Sequence, residues 1–199
     1  LAVIAGRGAL PGLLLAARPE ARAVVIEGIA PELPDGCARI PASFEKMGRL
    51  FSDLRKAGVQ EVVMAGAMDR PALNPAKFDL KMMGLAPSLL KAFRQGDDGL
   101  LRRVIAIFEA EGFAVVGAAE VAPELVAAEG QIAGGPPDKA LRADAARAFA
   151  ILDALGPLDI GQAAIVAGGL CLGIETVQGT DALIGFAGAP FTCATYLIE

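Results

Sequence analysis

The stretch 2-AVIAGRGALPGLLLA-16 decides the fold of this chain. An apolar, strand-like run leads into Gly6-Arg7-Gly8-Ala9, and a leucine-rich run follows. A buried strand that passes through a glycine turn into a helix is typical of the first unit of a parallel α/β sheet. The free amides of such a helix can face a phosphate, yet the third glycine of a dinucleotide fingerprint and the Gly-Lys of a P-loop are absent. The stretch is therefore compatible with a phosphate cradle and with a plain strand-to-helix turn.

The first half of the chain repeats this pattern of a short apolar strand followed by an amphipathic helix. Further strands are predicted at 21–27, 37–40, 61–66 and 113–118. Helices are predicted at 10–17, at 43–58 with Ser43 near its N-cap, at 80–96, and from Asp97-Asp98 onward. Repeated β-α units predict a Rossmann-like, doubly wound parallel sheet of the α/β class.

The second half of the chain follows a different pattern. Asp138 is placed to cap a helix in which Leu141, Ala145, Phe149 and Leu152 recur on one side. Two strands are then predicted around a Gly168-Gly169 turn. We predict a Rossmann-like N-terminal domain, a connecting helix and the incomplete start of a second α/β domain, over 1–135, 136–156 and 157–199.

The composition limits the chemistry that this chain can perform. Hydrophobic residues make up 54% of the chain and aromatic residues only 5%, so we expect an aliphatic core between buried parallel strands. The net charge of −5, with no lysine or arginine run, argues against binding of nucleic acid through a basic face. The absence of histidine excludes Ser-His-Asp and Cys-His catalysis, which leaves Asp, Glu, Lys, Arg, backbone amides and an oxygen-bound metal ion.

Cysteines and apolar runs bear on the cellular location. Cys37, Cys171 and Cys193 lie far apart and form no CxxC motif, which predicts buried, reduced thiols in a cytoplasmic protein. Glycines or a proline interrupt the uncharged stretches 160–174 and 182–198, so neither is predicted to be a membrane span of about 20 residues. No basic region precedes an apolar core at the N-terminus, and we expect no signal peptide.

Ligands of open α/β sheets bind beyond the carboxyl ends of the strands, where two further groups of candidates lie. Gly66 is followed by Asp69 and Arg70, and an arginine there can clamp a diphosphate with two hydrogen bonds or remain an ordinary surface charge. Gly96 precedes Asp97-Asp98, whose carboxylates can cap a helix or can hold a magnesium ion or sugar hydroxyls.

Carboxylates of the second half add oxygen ligands. Glu175 and Asp181 are the candidates, the latter within Gln178-Gly179-Thr180-Asp181. Asp181 follows Gly-Thr, so a role as a helix cap is an equal alternative.

Several segments occur in the order that one known family shows. Together they resemble the UDP-2,3-diacylglucosamine pyrophosphatases of the LpxI type, over residues 1–184. The segments are IAGRGALP, EVVMAGAMDRPAL, GDDGLLRRVIAIFEAEGF, VVGA, LDIGQAAIV and QGTDALI. The combination is far more specific than any one of these motifs.

The resemblance implies a cytoplasmic hydrolase of lipid A biosynthesis in Gram-negative bacteria. Its lipid-linked nucleotide sugar, UDP-2,3-diacylglucosamine, would bind between two α/β domains and yield UMP and 2,3-diacylglucosamine 1-phosphate (lipid X), with Mg²⁺ or another divalent metal. Peripheral contact with the inner membrane and self-association are compatible with it. The implied catalytic residues are Asp97, Asp98 and Asp181, and the implied metal ligands are Asp181 and Glu175. The implied substrate-binding residues are Gly6, Arg7, Gly8, Ala9, Gly66, Arg70, Gly96, Gln162 and Thr180.

The end of the chain departs from the family. The stretch 184-IGFAGAPFTCATYLIE-199 resembles a short piece of uroporphyrinogen decarboxylase, unless the match is chance similarity in an Ala/Gly-rich tail. We expect a second domain truncated at this point, with poor order or self-association beyond about residue 157 and little or no turnover.

Two other functions stay open at this point. One is a non-catalytic module that binds a nucleotide sugar or lipid. The other is an NAD-dependent oxidoreductase, for which Glu27 lies about 20 residues beyond the glycine loop, at the end of the second strand. The missing third glycine argues against the second.

Overall fold

The computed structural model describes residues 1–68, 72–93, 97–130, 134–158, 160–188 and 196–198. The chain divides into two compact units, Leu1–Ala128 and Glu129–Glu199. This division falls earlier than the predicted boundary at residue 135, and the helix predicted as a connector belongs to the second unit.

The first unit contains a parallel sheet. Its described strands are β1 (Ala2–Ala5), β2 (Arg22–Ile26), β3 (Arg39–Ala42), β4 (Glu61–Ala65) and β5 (Ala114–Val115). They pair in the order β3-β2-β1-β4-β5, every pair parallel. The predicted Rossmann-like α/β fold is confirmed. The strand order reverses direction between β1 and β4, which is where ligands of doubly wound sheets bind.

Helices cover both faces of this sheet. They are α1 (Leu10–Ala17), α2 (Met47–Lys56), α3 (Leu80–Ala92), α4 (Asp97–Ala110) and α5 (Ala118–Val121). The prediction that α2 begins near Ser43 is wrong, because Lys46 is the N-cap and the Ser43 hydroxyl donates to the Glu45 carboxylate at 2.5 Å instead.

Alternating residues of each central strand point to opposite sides of the sheet, and each side has its own core. Ile4 of β1 belongs to the core beneath α2, α3 and α4, whereas its neighbour Val3 belongs to the core beneath α1 and α5. Val62 and Val63 of β4 divide in the same way. Both sides of the strands are therefore apolar, as the sequence runs AVIA and EVVMA predict.

A carboxylate beside the larger core joins three helices of the first unit. Glu111, just beyond α4, accepts from the Arg55 guanidinium of α2 at 2.5 Å and also contacts the Lys81 ammonium of α3. The hydrogen bonds from Lys81 and Arg55 lower the pKa of the Glu111 carboxyl. Arg55 also lies 5.6 Å from the centre of the Phe113 ring. The ion cluster thus covers the edge of the aromatic core.

The second unit contains a hairpin, two helices and one further described strand. These elements are α6 (Lys139–Leu155), β6 (Ala164–Ala167), β7 (Leu170–Ile174), α7 (Thr180–Gly188) and β8 (Tyr196–Ile198). The strands pair antiparallel in the order β7-β6-β8. The predicted hairpin around Gly168-Gly169 and the Asp138 cap are confirmed, since the Asp138 carboxylate accepts from the Leu141 amide at 2.8 Å.

Two details of this unit contradict the sequence predictions. Phe149 of α6 is 54% exposed, because α6 turns Ala148 toward β6 instead. Cys171 is exposed rather than buried; in the first unit, Cys37 is only half-buried. None of the helices in the described part of the chain combines the length and apolar character that crossing a membrane requires.

The Glu111 cluster predicts a pH-dependent contribution to stability. Glu111→Gln removes the ion pairs and should lower the free energy of unfolding near neutral pH by about 1 kcal/mol or less, since Arg55 and Lys81 are partly exposed. The pKa of Glu111 is lowered in the folded chain, so the contribution is complete above the unfolded value of about 4.3 and disappears as the pH falls through the folded value. Urea unfolding at a series of pH values from 7 down into acid follows this loss.

Glu20→Gln is the matched control, because Glu20 pairs only loosely with Arg18, at 3.8 Å on an exposed surface. It should leave the unfolding free energy unchanged throughout this pH series. A deficit in Glu111→Gln that persists undiminished in acid would contradict the ion-pair explanation.

Candidate functional site

The carboxyl ends of β1 and β4 are joined by backbone hydrogen bonds. The Gly6 amide donates to the Ala65 carbonyl at 2.7 Å. Arg7 and Ala67 then exchange two amide-to-carbonyl bonds, at 2.8 and 3.0 Å, in an antiparallel bridge. The pairing of the two strands thus continues past their ends, at the point where the strand order reverses.

We call this contact between the chain after β1 and the chain after β4 the crossing, and it requires glycine at both Gly6 and Gly66. A Cβ on Gly6 would lie 2.6 Å from the Ala67 carbonyl oxygen, and a Cβ on Gly66 would lie 2.5 Å from the Arg7 carbonyl oxygen. Gly66 also has a φ of +87°, which side chains disfavour. The two Ala-Gly strand endings in the sequence therefore reflect one backbone contact.

The crossing reduces the number of backbone amides that could bind a phosphate in the predicted cradle. The amides of Gly6 and Arg7 already donate to the carbonyls of Ala65 and Ala67, so they are not available to a phosphate. Gly8 and Ala9 are exposed, and their amides donate to no group in the described part of the chain. The first turn of α1 adds few donors, because Pro11 has no amide hydrogen. A phosphate at this edge would be bound chiefly by Gly8, Ala9 and the start of α1.

Other predicted site residues have no described side chain. Asp69, Arg70 and Gly96 lie outside the described residues. Asp97 and Asp98 are the first residues of α4, as predicted, but their side chains are also outside the described part. Their roles in binding and catalysis stay predictions.

An apolar cavity of about 380 Å³ lies on the side of the sheet covered by α2, α3 and α4, and Gly66 is part of its lining. Four of the five methionines of the chain line it, and most of the other lining residues are aliphatic or aromatic. Those methionines are Met47, Met64, Met68 and Met82. Among the described lining residues, only Ser43 has a polar side chain. Such a space favours hydrocarbon, and flexible thioethers let it adapt to ligands of different shape.

Sequence reasoning missed this cavity. A signal was present, because all five methionines fall between Met47 and Met83. Those residues lie on α2, β4, α3 and the segment after β4, so only the fold shows that four of them share one space.

A charged groove lies beside the cavity, beyond the carboxyl ends of β2 and β3. Its volume is about 830 Å³, and it is lined by four basic and two acidic side chains: Arg39, Lys46, Arg49, Lys77, Glu27 and Glu45. Glu27 directly follows β2, as the NAD alternative requires. The position of Glu27 is the one feature of the described residues that supports NAD binding.

In the second unit, Glu175 and Thr180 come together. The Thr180 hydroxyl donates to the Glu175 carboxylate at 2.9 Å, and Asp181 follows in the first turn of α7. The Glu175 amide donates to the Ala163 carbonyl at 2.8 Å, which brings the predicted Gln162 segment alongside. A Cβ on Gly161 would lie 1.7 Å from the Glu175 carbonyl oxygen, a close approach that the sequence analysis did not identify.

The donor set of this cluster suits a hard cation only in part. Mg²⁺ is usually held by one or two carboxylates together with phosphate oxygens of a substrate, and Glu175 and Asp181 match that number. Within the described residues, no three His, Cys, Asp or Glu side chains form a group that could hold a metal ion. Further ligands would have to come from water or from the substrate.

Comparison with known proteins gives consistent matches over both units. The model of the LpxI N-terminal domain matches residues 1–125, and that of the LpxI C-terminal domain matches residues 128–196. The chain is 38% identical over 189 residues to the UDP-2,3-diacylglucosamine pyrophosphatase LpxI of Caulobacter vibrioides. The aligned region covers 92% of this chain and 67% of that relative. The C-terminal match continues past residue 184, and the decarboxylase-like tail stays a prediction.

The backbone crossing predicts a large effect of one methyl group. Gly6→Ala should destabilise the first unit by about 1–3 kcal/mol or more, because its Cβ would meet backbone atoms that cannot move aside. Urea unfolding measures the loss. Gly135→Ala is the control, since a Cβ there meets nothing within 4 Å. Equal stability of the two variants would show that the crossing tolerates a side chain.

Proposed function

This chain belongs to the LpxI family, and from that premise we propose that it hydrolyses the diphosphate of UDP-2,3-diacylglucosamine in lipid A biosynthesis. The products are UMP and 2,3-diacylglucosamine 1-phosphate. The Caulobacter vibrioides relative is a UDP-2,3-diacylglucosamine pyrophosphatase, and the apolar cavity of the first unit supports the same substrate for this chain. This cavity is the observation that carries the proposal, because a diacylated sugar needs a dry space for hydrocarbon.

The cavity is suited to an acyl chain by its chemistry and by its position. Its volume of about 380 Å³ lies in the usual range for ligand pockets. Burial of each methylene of an acyl chain contributes about 0.8 kcal/mol, so binding grows with chain length until the space is full. The lining includes Gly66, so a chain in the cavity would place its head group near the carboxyl ends of β1 and β4.

The chain's own polar groups would handle the diphosphate. The amides of Gly8 and Ala9 are suited to bind a phosphate oxygen, and Asp97 and Asp98 are proposed to orient water and accept its proton. The water oxygen then bonds to one phosphorus, and the bond from that phosphorus to the bridging oxygen breaks. In the second unit, Glu175 and Asp181 are the residues that we propose would hold Mg²⁺, an ion that can offset phosphate charge.

A non-catalytic binding module is the second candidate. It is compatible with the same cavity but predicts binding without release of UMP. Three expectations stay predictions: peripheral contact with the inner membrane, self-association and low turnover of this chain. The assay of UMP release also tests the turnover.

The proposed metal ligands predict a loss of turnover. Asp181→Asn should lower kcat for UMP release by about 10²-fold or more and raise the Mg²⁺ concentration needed for half-maximal rate. Asp153→Asn, on an exposed part of α6, is the charge-matched control and should behave as the unchanged chain. Unaltered turnover and Mg²⁺ dependence in Asp181→Asn would remove Asp181 from the proposal.

Filling the cavity should impair the diacylated substrate selectively. Val104→Trp places an indole in the cavity and should raise KM for UDP-2,3-diacylglucosamine about tenfold, while kcat and the affinity for UDP stay unchanged. Leu90→Trp adds the same group at a position of α3 that is 60% exposed and outside the cavity, and should have no effect. An unchanged KM in Val104→Trp would show that acyl chains bind elsewhere.

A further inference from the structure

One carboxylate holds the N-termini of two helices that wall the cavity. Asp79 is the N-cap of α3, and its Oδ1 accepts from the Met82 amide at 2.8 Å. Its Oδ2 accepts from the amides of Gly48 and Arg49, in the first turn of α2, at 2.8 and 3.3 Å. The two oxygens thus serve two different helices. Since the N-cap of α2 makes no side-chain bond of its own, Asp79 replaces it from another segment.

The segments that precede these helices are joined at the same place. The Asp79 amide donates to the Glu45 carbonyl at 3.0 Å, and the Asn74 amide donates to the Glu45 carboxylate at 3.3 Å. The pKa of the Glu45 carboxyl is lowered, and the largest cause is the hydrogen bond that the Ser43 hydroxyl donates to it. Glu45 is therefore a charged acceptor. The segment before α2 is therefore fastened to the segment before α3 by both backbone and side-chain bonds.

The first turns of α2 and α3, which Asp79 holds by hydrogen bonds, contain residues that line the cavity. Met47 is the first residue of α2, and Met82 lies in the first turn of α3; both line the cavity. Phe44 and Leu73, on the two fastened segments, line it as well. The bonds of Asp79 therefore fix the distance between two walls whose own side chains are flexible thioethers and apolar groups.

We infer that Asp79 is a positioning residue that sets the width of the apolar cavity and thereby the acyl chains that the chain accepts. Asp79 does not itself line the cavity. It acts through the spacing of α2 and α3. This inference rests on the proposed function for the identity of the ligand, but the cavity and the bonds of Asp79 are independent of any reaction.

Asparagine at this position separates the two roles of Asp79. Asn is as good an N-cap as Asp, so Asp79→Asn preserves the bond to the Met82 amide. The second oxygen becomes an NH₂ group, which would face the Gly48 and Arg49 amides donor to donor. The variant therefore keeps the cap of α3 and loses the link to α2.

The test measures palmitate binding and acyl-chain preference in the full chain. Asp79→Asn should raise the Kd for palmitate about fivefold. This factor corresponds to the free energy of about one hydrogen bond, the one that links α2 to α3 and fixes the spacing of the cavity walls. The variant should raise KM but leave kcat unchanged, and it should reduce the discrimination between long- and short-chain substrates. Asp138→Asn, a cap of α6 whose carboxylate serves one helix, should change none of these values.

A second variant approaches the same contact from the other side. Gly48→Ala keeps Asp79 but places a Cβ 3.1 Å from its Oδ2, which should push α2 and α3 apart and shift acyl preference in the same direction. Gly84→Ala, within α3 and with nothing within 4 Å, is its control. Asp79→Asn and Gly48→Ala variants that lose only thermal stability, with palmitate Kd and acyl preference unchanged, would overturn the inference.

The outcomes separate this inference from the proposed function. Palmitate binding that depends on Asp79, without UMP release from any substrate, supports the inference and contradicts the enzyme proposal. Normal UMP release with no palmitate binding by the unchanged chain supports the enzyme and overturns the inference.

Discussion

The structure of the first unit depends on the backbone contact between Gly6 and Gly66. Two strands that are distant in sequence end side by side, and the absence of both side chains lets Arg7 and Ala67 extend the pairing. From this crossing the chain after β1 enters a helix on one face of the sheet, and the chain after β4 leads to helices on the other. The apolar cavity forms on the second side, with Gly66 in its lining. A side chain at the crossing would therefore disturb the sheet edge and the cavity together.

The first unit uses its well-placed carboxylates for structure. Glu45, Asp79 and Glu111 hold helix starts, connecting segments and basic side chains in place. Each already accepts hydrogen bonds or ion pairs from other segments of this unit, so we assign none of them to the diphosphate. The binding surfaces that remain in this unit are the apolar cavity, the charged groove beside it and the exposed amides of Gly8 and Ala9. The carboxylates that we propose for catalysis and metal binding are therefore Asp97 and Asp98 and, in the second unit, Glu175 and Asp181.

Local patterns predicted much of this fold, and their failures share one physical cause. The buried strands and α1 follow from runs of apolar residues, which need no information about distant segments. The start of α2 was predicted wrongly because its amides are capped by Asp79, 31 residues away in sequence. Phe149 was placed with the inward side of α6, but the small Ala148 is the residue that packs on β6. Contacts between distant segments decided each of these cases.

The sequence by itself determined the α/β class and the family, because these depend on periodicity and on ordered motifs. It also named Glu175 and Asp181 as candidate ligands, since a chain without histidine can offer a hard cation only oxygen atoms. Only the tertiary structure decided that four methionines share one cavity and that one carboxylate serves two helices. It also decided that the Gly6 and Arg7 amides are already used. A cavity and a shared hydrogen-bond acceptor are properties of the space between elements, and no single segment encodes that space.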